Sequence, residues 1–236
     1  DGAPGGYIQQ PFEALMALIC IEASRANTVV VGEDLGLVPK GFRTAMHKRG
    51  LYSYSVLQYE QNDVGTICSP DALSTQSLVC FGTHDTPTLA GYREGRDIDW
   101  WEKLSWITNK AANTDRARRR LQLKGLATAD QSTSPPASQD KVGNSLPTLA
   151  ALRTSVHQSL AASNIAMVSI QLDDLFGVVE AQNLPGTIDE HPNWRRRYEL
   201  PVTQISSLGS FRETIHIMQD TGRSTAVTND RCHFTT

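Results

Sequence analysis

Four carboxylates sit at or near the ends of four apolar or β-branched runs in this 236-residue chain. Glu33 comes late in TVVVGED (28–34), Glu60 ends YSYSVLQYE (52–60), Asp85 ends LVCFGTHD (78–85), and Asp173 comes late in IAMVSIQLDD (165–174). If the runs are strands of one parallel array, their C-terminal ends share a rim, and so do the acids. Paired carboxylates at a rim can exchange glycosidic bonds with retention. One acts as nucleophile and the other as acid/base, with the carboxyl groups about 5–5.5 Å apart. The acid must keep its proton near neutral pH, which burial or a neighbouring carboxylate achieves. Glu33, emerging from VVVG, stands where desolvation is expected. His84, beside Asp85, offers donors for sugar hydroxyls and equally suits a satisfied structural histidine. Helix capping is the competing reading of these acids. Asp34 can cap a following turn, and Asp85-Thr86-Pro87 reads as a cap followed by Pro at the first helical position. No H-x-H or H-E-x-x-H spacing occurs, so no metal is expected.

The elements that must position these acids follow from patterning. None of the four runs keeps a clean polar/apolar alternation, which predicts strands covered on both faces, as in parallel sheets. Helical patterns lie between them, at 11–26, 38–50, 97–107, 115–127, 145–163 and 207–219. In the second, Pro39 suits a first turn and Gly50 a stop. Strands alternating with helices predict βα units and a parallel sheet. In α/β barrels the active site lies at the C-terminal ends of the strands. The polar segment ADQSTSPPASQDKVGNS (129–145) is expected to be a surface loop within one domain.

Composition excludes several classes. The chain is 39% hydrophobic and 20% charged, enough for a sizeable core, and its net charge of −3 suggests neither nucleic acid nor an anionic membrane as partner. Two arginine clusters, Arg116/Arg118/Arg119/Arg120 and Arg195–Arg197, read as solvated faces or local ion pairs. No run approaches the roughly 20 apolar residues of a membrane span, and no signal peptide is evident. Cys20, Cys68, Cys80 and Cys232 form no C-x-x-C and read as free thiols in a reducing compartment.

Four blocks in order, GEDLGLVPKGFR (32–43), LYSYSVLQYE (51–60), FGTHDTPTLAGY (81–92) and QNLPGTIDEHPNWRRR (182–197), resemble the 4-α-glucanotransferases (amylomaltase, or disproportionating enzyme) of the α-amylase clan. The preceding GGYIQQPFEALMALICIEASRA (5–26) is similar too, and the resemblance is weakest at 110–145 and after 205. It implies a (β/α)8 barrel, and a retaining transfer of α-1,4-glucan segments between maltodextrins, with glucose or another oligosaccharide as acceptor. It implies no cofactor and no metal. Glu33 would be the general acid/base and Asp85 the transition-state stabiliser. His84 would bind the same sugar, Tyr59 would be an aromatic platform on the acceptor side, and Asn183 would lie near the donor sugar. A cytoplasmic location is expected, or a plastid if the parent is a plant enzyme.

The resemblance also implies a nucleophilic aspartate, in an Arg-x-Asp-His-type motif on the strand before GEDLG. These residues contain no such motif. The chain is therefore expected to be the C-terminal part of one barrel, strands about five to eight, inactive unless complemented by the missing N-terminal half. Open sheet edges and apolar surface would then favour association. Two alternatives stand beside this reading: a hydrolase of the same clan, and a non-catalytic glucan-binding half-barrel. The NLPGT and NWRRR blocks favour the glucanotransferase.

Overall fold

The run FEALMALICIEASR forms helix α1 (Phe12–Arg25), close to the expected 11–26. The computed structural model describes residue 6, residues 8–128 and residues 145–223. Cys232 and the expected 129–145 loop, apart from Ser145, lie outside the described residues. The chain divides into two units, Asp1–Tyr54 and Ser55–Thr236.

In the first unit, the helix expected at 38–50 shortens to α2 (Phe42–His47). Gly41 precedes it at φ +86°, a left-handed conformation that no right-handed helix continues through, so Pro39 falls outside. Gly50, at φ +73°, follows as the stop. Met16, Met46 and Leu51 form a small core with Phe12, Cys20, Val30 and Phe42. The TVVVGED run makes one parallel bridge, Val31 to Tyr52, rather than a full strand. Tyr52 N donates to Val30 O at 3.0 Å, and Gly32 N to Tyr52 O at 2.8 Å. The expected two-sided cover is not met here, because Val29 is exposed, as are Leu15, Leu18, Ile19 and Ile21 of α1.

The second unit is built on a three-stranded sheet in the order β1 (Ser53–Val56), β2 (Ser77–Cys80), β3 (Met167–Ser169), β1 entering it with Ser55 and Val56. β2 and β3 are parallel, with Leu78 opposite Met167 and Cys80 opposite Ser169. A parallel pair needs a long crossover. Here it runs through α3 (Leu89–Glu94), α4 (Arg96–Lys103), α5 (Asn109–Thr128) and α6 (Leu149–Ala162). Val79 of β2, with Leu57 and Phe81 just past β1 and β2, packs with Leu89, Tyr92, Leu123, Leu152, Val156 and Leu160 from those helices. α7 (Leu172–Phe176) and α8 (Gly209–Asp220) complete the unit. The fold is thus α/β, with parallel strands and helices.

The strands are shorter than the apolar runs. β1 stops at Val56 because Tyr59 N and Glu60 N turn back onto Val56 O and Leu57 O, at 2.9 and 3.1 Å. β2 stops five residues before Asp85. The second half of IAMVSIQLDD is helical, with Asp173 and Asp174 in the first turn of α7, where the helix dipole favours acids. β3 is an edge with no fully buried residue, so two-sided cover holds for β2 and not for β3. The helix expected at 97–107 ends at Lys103, since Ser105 lies at φ +61°, and α5 then begins six residues earlier than expected. Both arginine clusters supply local ion pairs, among them Arg116 to Asp99 and Glu102, Arg119 to Asp97, and Arg196 to Asp173.

Candidate active site

Asp85 stands on the loop after β2, and the loop's threonines set its position. Thr83 N donates to Thr86 Oγ1 at 2.8 Å, Thr86 N to Thr83 O at 3.2 Å, and Asp85 N to Thr83 Oγ1 at 3.1 Å. Hydroxyls that bond nearby backbone make such a turn self-contained. Buried Gln58, just past β1, braces it by donating to Pro87 O at 2.8 Å. Gly82 is the residue that permits this close fit. A Cβ there would lie 2.5 Å from Gln58 Nε2 and 2.6 Å from Thr86 Oγ1.

The capping reading of Asp85 is not met. Thr88 caps α3, accepting from Gly91 N at 3.0 Å, and Pro87 lies before the cap. The loop's exit is fastened to the segment after β3. Thr88 Oγ1 donates to the carbonyls of Val178 and Val179, and Asp174 Oδ1 accepts from Leu89 N at 2.7 Å. Burial is the largest influence on Asp174. It raises the carboxyl to about 7, against the bond from Leu89, with the charge of Asp173 adding to the rise.

With its amide engaged by Thr83, Asp85 keeps its carboxylate partly exposed and accessible to a ligand. Asn183 Nδ2 donates to Asp85 Oδ1 at 2.6 Å, and Asn183 N donates to His84 O at 3.0 Å, so the two loops are joined twice. His84 Nε2 stands 3.4 Å from Asp85 Oδ2. Tyr59 is 57% exposed. Partial burial, then the charge of Asp85, push its phenol above the usual value. Tyr59, His84, Asp85 and Asn183, all expected from sequence, therefore gather in one unit.

The NLPGT turn that carries Asn183 is fixed from below by Asn193. Its Oδ1 accepts from Leu184 N at 3.0 Å and from buried His191 Nδ1 at 2.6 Å. Its Nδ2 donates to Thr187 O and Oγ1 at 3.1 and 2.9 Å. Next in sequence, Trp194 holds φ +59° and places its ring 5.0 Å from that of His84. Glu180 anchors the same loop to α4, through Arg96 Nε at 2.5 Å and Trp100 Nε1 at 3.0 Å. Burial raises the Glu180 carboxyl, but the bonds from Arg96 and Trp100 and the Arg96 charge outweigh it and hold the group below its ordinary value. A cavity of ≈ 190 Å³ lies between loop and helix, walled by Trp100, Trp101, Leu184 and Pro185, with Asp85 and Asn183 on its lining.

Glu33 belongs to the other unit. It is exposed, and its Oε1 accepts from Leu35 N at 3.0 Å. The desolvated carboxylate of GEDLG is its neighbour. Asp34 is 1% exposed, accepting from Arg43 Nε at 2.5 Å and from Tyr54 N at 2.9 Å. Asp34 therefore ties α2 to β1. Asp173 is likewise tied down, by Arg196 and the Tyr198 hydroxyl, both at 2.9 Å. Among the described residues, no three His, Cys, Asp or Glu side chains gather as a metal site, and no helix is long and apolar enough to cross a membrane. Sequence reasoning missed Asn193, Trp194 and Glu180 as members of the site. Asn193 and Trp194 lay within a quoted block, but nothing in the spacing shows what Asn193 bonds.

The arrangement suits hydrogen bonding to a polyhydroxylated ligand beside an anionic group. Comparison with known proteins narrows this. A family profile described as 4-alpha-glucanotransferase matches residues 2–203. The 4-alpha-glucanotransferase of Haemophilus influenzae is 28% identical over 225 residues, covering 94% of this chain and 32% of that protein. Its counterpart in Mycobacterium tuberculosis is 32% identical over 208 residues, covering 83% and 27%. The crystal structure of amylomaltase from Corynebacterium glutamicum superposes with TM-score 0.78 at 27% identity, over 90% of this chain and 32% of that one. An amylomaltase from Streptococcus agalactiae, solved in complex with acarbose, shares the fold with TM-score 0.60 at 15% identity, over 93% of this chain and 37% of its own. This chain spans about a third, or less, of the length of the curated relatives named here.

Proposed function

The chain belongs to the 4-alpha-glucanotransferase family, and on that premise we propose that it forms the C-terminal part of one (β/α)8 barrel, strands about five to eight, of a retaining enzyme. That enzyme transfers α-1,4-glucan segments between maltodextrins, with glucose, maltose or a longer oligosaccharide as acceptor, and uses no cofactor or metal.

In this reading Glu33 protonates the departing glycosidic oxygen and later takes the proton of the incoming sugar hydroxyl. Asp85 stabilises the positive charge that develops as the sugar ring flattens, and its hydrogen bonds to ring hydroxyls strengthen in that state. Asn183 and His84 hold Asp85 and the same sugar, and Tyr59 supports the acceptor. An aspartate from outside residues 1–236, in the remaining part of the barrel, forms the covalent intermediate. That remaining part also covers the exposed apolar residues of α1.

The observation that carries the reading is the 2.6 Å bond from Asn183 to Asp85, which joins residues 98 apart at a carboxylate left open to a ligand. Expression of the complete reading frame containing these residues tests it, with maltotriose as substrate. Glucose and longer maltodextrins are the expected products, and Glu33→Gln and Asp85→Asn should each reduce transfer by about 10²–10⁴-fold. The 236-residue chain by itself should release no glucose. Transfer at an undiminished rate in both variants, or turnover by the chain alone, would overturn the assignment.

A further inference from the structure

We propose that Trp194 is a sugar-binding wall of this site, against which a glucosyl ring held at Asp85 stacks. The inference deepens the glucan reading above and rests on it. A scattered exposed aromatic on a protein surface needs no explanation. Trp194 differs in three respects.

Its backbone is strained. A bulky residue at φ +59° occupies the left-handed region that such side chains rarely enter, and strain of this kind persists only where the surroundings impose it. The surroundings do impose it. Trp194 N donates to Gln182 O at 2.9 Å, Asn193 N donates to His191 O at 2.7 Å, and the Asn193 side chain is held by the four contacts described above. Nor is the ring placed there by packing, since Trp194 is 61% exposed. The fold thus holds a large apolar ring in solvent in a costly conformation.

Its location is the third respect. The indole is 5.0 Å from the His84 ring at an interplanar angle of 52°, and His84 lies 3.4 Å from the Asp85 carboxylate. Gln182, which accepts from Trp194, precedes Asn183, which donates to Asp85. The backbone that sets the ring is therefore the backbone that sets the amide. A glucopyranose has apolar C–H faces and a rim of hydroxyls. It fits a site offering an aromatic wall beside a carboxylate, an amide and an imidazole.

The test uses the complete reading frame containing these residues, carrying Glu33→Gln to prevent turnover, with ¹⁵N-labelled tryptophan and maltotriose as probe. The indole N–H signal of Trp194 is the one missing from the Trp194→Asn variant. Asn tolerates the left-handed backbone, so this variant removes the ring and keeps the loop. Trp194→Phe keeps an aromatic face. The expected results are a saturable shift of the Trp194 signal, affinity roughly tenfold weaker in Trp194→Asn, and affinity within about threefold of the parent in Trp194→Phe. Saturable binding by the parent that is unchanged in Trp194→Asn overturns this inference alone. Absence of saturable binding by the parent overturns the glucan reading of the site together with it.

Discussion

Replacing Asn193 by Ala should loosen the loop that carries Asn183 and Trp194, and the structure allows the effect to be sized. The substitution removes four contacts. Two of the groups left behind are buried: His191, 2% exposed, and Leu184, 7% exposed, whose amide loses its acceptor. An orphaned buried donor costs about 1–3 kcal/mol, whereas an ordinary hydrogen bond is worth about 0.5–1.5 kcal/mol. Taking the low end for each group gives a destabilisation of about 3 kcal/mol. Urea denaturation followed by tryptophan fluorescence is the assay, because Trp100, Trp101, Trp106 and Trp194 all lie in the second unit and report on it alone. The midpoint should fall with the slope unchanged. The Asn193→Ala/His191→Phe double variant should recover at least about 1 kcal/mol relative to the sum of the single effects, since no imidazole is then left unpaired. A loss below about 0.5 kcal/mol for Asn193→Ala, or strict additivity in the pair, would refute the assignment of Asn193 as the residue that pins this loop.

Three further outcomes are expected. Asp97→Ala should destabilise the second unit by about 3–5 kcal/mol, because it leaves Arg119, bonded to Asp97 at 3.0 and 2.7 Å, as an uncompensated buried charge; a urea midpoint within error of the parent would count against this. Asp174 should make stability depend on pH. Its carboxyl is raised to about 7 in the fold against an ordinary value near 4, so the folded state binds more protons between those limits. That contribution is therefore largest at pH 4 and falls, by on the order of a few kcal/mol, as pH rises to 7. His157, lowered to about 4 by burial, acts in the opposite sense between about 4 and 6.5. The difference between the parent and Asp174→Asn isolates the aspartate, and a pH-independent difference would contradict this account. Gly91→Ala should cost about 1–3 kcal/mol, since a Cβ there would press into the Val179 carbonyl, which is backbone and cannot swing aside; wild-type thermal stability would show that the contact relaxes freely.

Tyr59, His84, Asp85 and Asn183 were expected from motif blocks, and the structure places all four in the second unit, with Asn183 bonded to Asp85 and His84 beside it. The apolar runs marked the strands but not their ends. Periodicity reports that a segment is buried, not where its hydrogen-bonding partner stops, so LVCFGTHD and IAMVSIQLDD read as longer strands than they are. In the latter, Asp173 and Asp174 suited a helix N-terminus, and α7 took the residues. The capping alternative for Asp85 failed because a cap needs a side chain aimed at free amides, and Thr88 holds that place.

The distinction between Glu33 and Asp34 is of the same kind. Two adjacent acids after VVVG look alike in sequence, and local pattern placed the desolvation on Glu33. The structure buries Asp34 instead, because Arg43 and the Tyr54 amide converge on it from elements nine and twenty residues away. Sequence by itself determined the chemistry available and the family, because residue types and their order are covalent facts. Only the tertiary structure decided which carboxylate is tied down and which is open, and which asparagine holds Asp85 while another holds its loop. Burial and hydrogen bonding are set by partners distant in the chain, and no local pattern encodes their convergence.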